Sequence, residues 1–141
     1  MSHTPTETRT VIVEREMPHP PEKLWRALTQ PHLIQEWLMK NDFKPAVDHQ
    51  FQFRMDPQGG WNGIIDCQVL TVEPNKTLAY TWTSMGMGTV VTFTLTPSSS
   101  GTHLRVEQSG FSAAHPQAYN GAKYGWQAFF ARLEKMLPGV D

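Results

Sequence analysis

The stretch Pro116-Gln117-Ala118-Tyr119-Asn120-Gly121-Ala122-Lys123-Tyr124-Gly125-Trp126-Gln127-Ala128-Phe129-Phe130-Ala131-Arg132-Leu133-Glu134-Lys135-Met136-Leu137 decides between architectures. Ala118, Ala122, Gly125, Trp126, Phe129, Phe130, Leu133, Met136 and Leu137 recur at three- and four-residue steps, the spacing of one face of an α-helix. Gln117, Asn120, Lys123, Gln127, Arg132 and Glu134 mostly take the opposite face. Pro116 suits the first helical position, and Pro138-Gly139 stops the run. A helix this long and one-sided needs an equally broad apolar partner, and the preceding sequence supplies one.

That partner is a set of strands. Leu104 and Val106 point one way, with His103, Arg105 and Glu107 the other. Val91, Phe93 and Leu95 alternate with Thr92, Thr94 and Thr96. Leu78, Tyr80 and Trp82 alternate with Thr77, Ala79, Thr81 and Thr83, and Phe51, Phe53 and Met55 with Gln52, Arg54 and Asp56. Residues 63–72 read as a further strand of ambiguous facing: Ile65, Cys67 and Val69 alternate, but Ile64 and Leu70 break the pattern. The turns at 56–60, 74–75 and 97–101 are short, so the last strands are expected to form an antiparallel meander. Upstream, residues 10–16 read as a first strand around Val11 and Val13. Two short helices follow, divided at Gln30-Pro31 because the residue before proline avoids helical geometry. The order is strand, two short helices, strands, long helix. This predicts an α+β fold, with a curved antiparallel sheet of about six strands around the C-terminal helix.

Composition bounds the rest. The 141 residues fit one domain, expected over 9–138 behind a flexible N-terminus of residues 1–8. Twelve Lys+Arg against 13 Asp+Glu give a net charge of −1, which argues against nucleic acid as a partner. No apolar run is long enough for a membrane span, and the N-terminus lacks the layout of a secretory signal, so a cytoplasmic location is expected. Cys67 is the lone cysteine and no histidine pair has metal-ligand spacing, so neither a disulfide nor a metal is expected. Five Trp, seven Phe and seven Met in a chain only 18% charged must line either a core or a cavity.

The segment Pro20-Pro21-Glu22-Lys23-Leu24-Trp25-Arg26-Ala27-Leu28-Thr29-Gln30-Pro31, followed by Trp37-Leu38, resembles the opening of the START-like superfamily. Within it, the likeness is to the branch related to the Hsp90 ATPase activator C-terminal domain. Val72-Glu73-Pro74-Asn75-Lys76-Thr77-Leu78-Ala79-Tyr80-Thr81-Trp82 and Gly125-Trp126 fit the same pattern. The resemblance spans about residues 10–137 and implies a helix-grip fold, in which the sheet grips the long helix around a cavity. Relatives of this kind bind lipids, polyketides, hormones and other apolar molecules, and some are cyclases or hydratases. No cofactor is implied.

On that expectation the cavity wall would come from Trp37 on the second short helix, from Phe53, Met55, Ile65, Tyr80, Trp82, Phe93 and Gln108 on the sheet, and from Tyr119, Trp126 and Phe129 on the long helix. Ordinary core packing is the rival reading for each aromatic. Ser84-Met85-Gly86-Met87-Gly88 reads as a loop, either a lid with Met87 at the cavity mouth or a plain hairpin. Gly125 suggests close packing of the helix on the sheet, while Gly121 suits either packing or space for a ligand. His115 flanks a helix start, where capping or exposure is expected. Tyr80, Gln108 and Tyr119 are the polar groups with inward potential, and none forms an acid–base pair. The leading expectation is therefore binding of a small apolar or aromatic molecule. The alternatives are a cyclase- or hydrolase-type enzyme in the same cavity, or a chaperone-interaction module. The polar outer strand faces leave monomer and homodimer equally open.

Overall fold

The computed structural model describes residues 8–140. Strand β1 (Thr8–Met17) leads into helices α1 (Pro21–Thr29) and α2 (Pro31–Trp37). Six strands follow: β2 (Lys40–Asn41), β3 (Gln50–Arg54), β4 (Ile64–Glu73), β5 (Thr77–Ser84), β6 (Met87–Ser98) and β7 (Gly101–Ser112). Helix α3 (Pro116–Met136) ends the fold, with a short 3₁₀ turn at Leu137–Gly139. The sheet is antiparallel throughout, in the order β1-β7-β6-β5-β4-β3-β2. Its seventh strand is the two-residue β2, too short to show alternation in the sequence. Among the described residues no helix is long and apolar enough to cross a membrane. Of the N-terminal segment expected to be flexible, residues 1–7 lie outside the described residues, and Thr8 opens β1 opposite Ser112.

Proline sets the entry to all three helices, each with Pro in its first turn. Gln30, held extended by Pro31, separates α1 from α2. The Trp37 Nε1 donates to the Ala27 carbonyl at 2.9 Å and ties the two short helices together in the core.

The inner sheet face carries Val11, Val13, Phe51, Phe53, Tyr80, Val91, Phe93, Leu104 and Val106, all buried. The irregular β4 has a simple cause. Val69 pairs with Tyr80 but Thr71 pairs with Ala79, so Leu70 is an extra residue in a β-bulge. Ile65, Cys67 and Val69 point inward before the bulge, Val72 packs inward after it, and Leu70 is expelled to 41% exposure.

Two turns are tighter than the sequence suggests. The expected loop at 84–88 is a two-residue hairpin, Met85-Gly86, with φ of 52° and 78°, and Ser84 paired to Met87. The strands on either side of the 97–101 turn likewise run on, until Ser98 pairs with Gly101.

Helix α3 lies across the inner face, but not evenly. Its buried residues are Trp126, Phe130 and Leu133, all in the C-terminal half. The first ten residues of the helix contribute no fully buried side chain, and Ala118, Tyr119 and Ala122 pack only partly buried against the core, which leaves a gap at that end.

Candidate functional site: a cavity under the N-terminal half of α3

A cavity of about 620 Å³ occupies the gap, within the range of roughly 300–1,000 Å³ usual for small-molecule sites. Ala118, Gly121, Ala122 and Gly125 form its helical wall. A Cβ on Gly121 would meet nothing within 4 Å, and one on Gly125 would meet only the Phe129 ring at 3.8 Å. The close backbone packing expected at Gly125 is therefore absent. The small residues keep space open instead of closing it.

A buried chain of hydrogen bonds runs along the cavity wall. Trp126 Nε1 donates to Gln108 Oε1 at 2.7 Å, and Gln108 Nε2 donates to Thr89 Oγ1 at 2.9 Å. The Thr89 hydroxyl donates in turn to the Trp82 carbonyl at 2.9 Å. This chain locks the amide of Gln108 in one orientation and links β5, β6, β7 and α3. Aromatic rings pack around it: Trp82 and Trp126 lie 5.5 Å apart between centroids, and Trp126 and Phe129 5.6 Å. Four methionines, Met39, Met55, Met85 and Met87, line the wall and suit irregular apolar ligands because their side chains are unbranched and polarisable.

Met55 is held by a special contact. Its N–H donates to the Gly63 carbonyl at 2.9 Å, and Gly63 sits at φ 78°, where any Cβ would run into the Met55 carbonyl oxygen. Only glycine fits this approach. Between these two residues, Trp61 lines the cavity with a buried Nε1 that has no partner among the described residues.

Of the twelve sequence candidates, Met55, Trp82, Met87, Gln108, Trp126 and Phe129 line the cavity. The other six do not. Trp37, Phe53, Ile65, Tyr80 and Phe93 are buried in the core, with Trp37 edge-on to Phe93 at 6.3 Å. Tyr119 lies one step off the small-residue stripe of α3, edge-on to Phe111 and under the Arg9 guanidinium at 5.7 Å. Met39, Trp61, Ser84, Met85, Thr89, Phe111, His115, Gln117, Ala118, Gly121, Ala122 and Gly125 complete the lining. The Ala118-Gly121-Ala122-Gly125 stripe was visible in the sequence, but small residues suit close packing and open space alike, so it did not place the cavity. His115 occupies the N-cap of α3 but makes no capping bond with its side chain, and it lines the cavity instead.

No Asp, Glu, Lys or Arg lines the cavity among the described residues. Two titratable groups of the core are held neutral: burial pushes the Tyr80 phenol well above its ordinary range and raises the Cys67 thiol likewise. The arrangement can hold and orient an uncharged apolar surface. His115 is the one titratable side chain on the cavity wall among the described residues.

Comparison with known proteins agrees with the fold. The family model described as activator of Hsp90 ATPase homolog 1-like protein matches residues 18–138. The crystal structure of MLL2253 from Mesorhizobium loti is 60% identical, with a TM-score of 0.86 over 94% of this chain and 99% of that one. BH1534 from Bacillus halodurans is 25% identical, with a TM-score of 0.79 over 94% of this chain and 99% of that one. DynU16, a protein of the dynemicin biosynthetic locus, is 26% identical with a TM-score of 0.78, and the match covers 93% of this chain and 48% of that one. No match was found among the curated proteins. With a family match over most of its length, and an open antiparallel sheet packed on a long C-terminal helix, the chain belongs to the activator of Hsp90 ATPase homolog 1-like family, a branch of the START-like superfamily.

Proposed function

We propose that the protein binds a small apolar or aromatic molecule in the cavity between the sheet and α3, with the Gln108 amide orienting it. The fold suits ligand-binding or polyketide cyclase-like roles in general. The observation that carries the specific reading is a cavity of about 620 Å³ lined by aromatic rings and methionines, with one fixed amide and no charged side chain. Burying an uncharged ring system there costs no ion desolvation, whereas burying an ion would. Gln108 can address a ligand because its orientation is already set by Trp126 and Thr89. In this reading the ligand is carried or sensed in the cytoplasm, where the lone thiol of Cys67 suits a reducing compartment.

A thermal-shift panel of neutral aromatic and polycyclic compounds tests the reading. A ligand at 100 times its dissociation constant adds about 2.7 kcal/mol, which raises the melting temperature by several degrees. A wide panel with no shift contradicts it.

A further inference from the structure

The cavity does not end at its methionines. Met39, Met55 and Phe129 are also the wall of a neighbouring cleft of about 560 Å³, and the far side of that cleft is charged. It carries Lys40, Arg54 and Arg132 against one carboxylate, Asp56. Among the described residues Arg15 pairs with Glu134, and Arg105 with Glu14 and Glu107. None of the three cleft cations makes an ion pair among the described residues. Arg54 donates from Nη2 to Gln52 Oε1 at 2.7 Å, and Arg132 lies over the Phe129 ring at 5.8 Å.

The placement is costly by itself. Lys40 and Arg54 are directly opposed in the β2–β3 ladder, where like charges repel. Phe129 and Arg132 are three residues apart on α3, so one turn of helix carries both a cavity ring and a cleft cation. Three cations against one carboxylate thus gather beside a cavity lined by no Asp, Glu, Lys or Arg, on a chain whose net charge is −1. Met39 and Met55 line both spaces, and unbranched side chains of this kind adapt readily to a ligand that spans them.

We propose that cavity and cleft form one site for an amphipathic organic anion. Its apolar, aromatic body fills the cavity, and its carboxylate or phosphate ester sits among Lys40, Arg54 and Arg132. This rests on the cavity reading above and adds the charged end of the ligand. The cations are exposed, so the expected gain is modest and sensitive to salt.

The test uses the whole chain and the neutral dye N-phenylnaphthylamine, whose fluorescence reports apolar binding. Naphthoate, naphthyl phosphate and naphthol then compete for it at neutral pH. At least one anion is expected to displace the dye at roughly three- to tenfold lower concentration than neutral naphthol. The better of the two tells a carboxylate from a phosphate ester. A Lys40→Gln/Arg54→Gln double variant, in which two exposed side chains change and folding is checked by its melting curve, should bind the dye unchanged and lose the advantage of the anion. Naphthol competing as well as both anions, or an anion advantage that survives in the double variant, overturns the proposal while the cavity reading stands. Failure of the dye to bind at all overturns both.

Discussion

At the scale of single residues, Gln108 does the most. Its position on β7 alternates with exposed residues, which made it legible as an inward polar group. Its partners were not legible, because Thr89 and Trp126 lie 19 and 18 residues away in the chain. The amide stands between a buried indole N–H and a buried hydroxyl, so its removal leaves a donor stranded in a dry place. Gln108→Leu, close in size, is expected to lower stability by about 1–3 kcal/mol, read as an earlier urea midpoint. An unchanged midpoint would mean that the hydrogen-bond chain is not formed in solution. Trp61 shows the opposite condition, an indole donor without a partner among the described residues. No periodic signal marks it, since it sits in a turn-rich segment after Gly59-Gly60.

At the scale of elements, alternation revealed which strand faces are inward, and it failed where geometry broke the period. The bulge at Leu70 shifts the register by one residue, and a one-residue shift moves side chains to the other face. On the outer face, β1 and β7 bring Glu14, Glu16 and His103 together. The His103 ring nitrogens lie 2.9 Å from Glu14 and 3.0 Å from Glu16. Hydrogen bonding to Glu14, then to Glu16, raises the His103 pKa above its ordinary 6.5. The carboxyls of Glu14 and Glu16 are lowered from 4.5, chiefly by His103 and by Ser98 respectively. The histidine contribution is complete below 6.5 and is lost as pH rises through the raised value. The glutamate contributions are complete above 4.5 and are lost as pH falls through the lowered values. The cluster therefore stabilises most between 4.5 and 6.5. Melting temperatures of wild type and His103→Gln should differ most near pH 6 and converge by a few degrees at most toward alkaline pH. A difference that does not change with pH would contradict the pairing.

At the scale of the whole molecule, the long helix and the strand alternation already implied a sheet packed on α3, and the structure has that arrangement. The position of the cavity was less legible. Aromatics at inward positions look alike whether they fill space or surround it. Trp37, Phe53, Tyr80 and Phe93 fill the deep end, where α3 buries Phe130 and Leu133. The cavity opens where the helix carries Ala118, Gly121, Ala122 and Gly125. The splay of α3 from the sheet is thus the central claim, and Gly121 reports on it most directly. A Cβ there meets open space, and replacing glycine within a helix favours the helix by up to about 1 kcal/mol. Gly121→Leu should therefore fold at least as stably as wild type while its side chain occupies the cavity. The decisive measurement is a fluorescence titration of wild type and Gly121→Leu with N-phenylnaphthylamine. A splayed helix predicts saturable binding to wild type and its loss in the variant, with an unreduced melting temperature. Equal binding by the two proteins would contradict it.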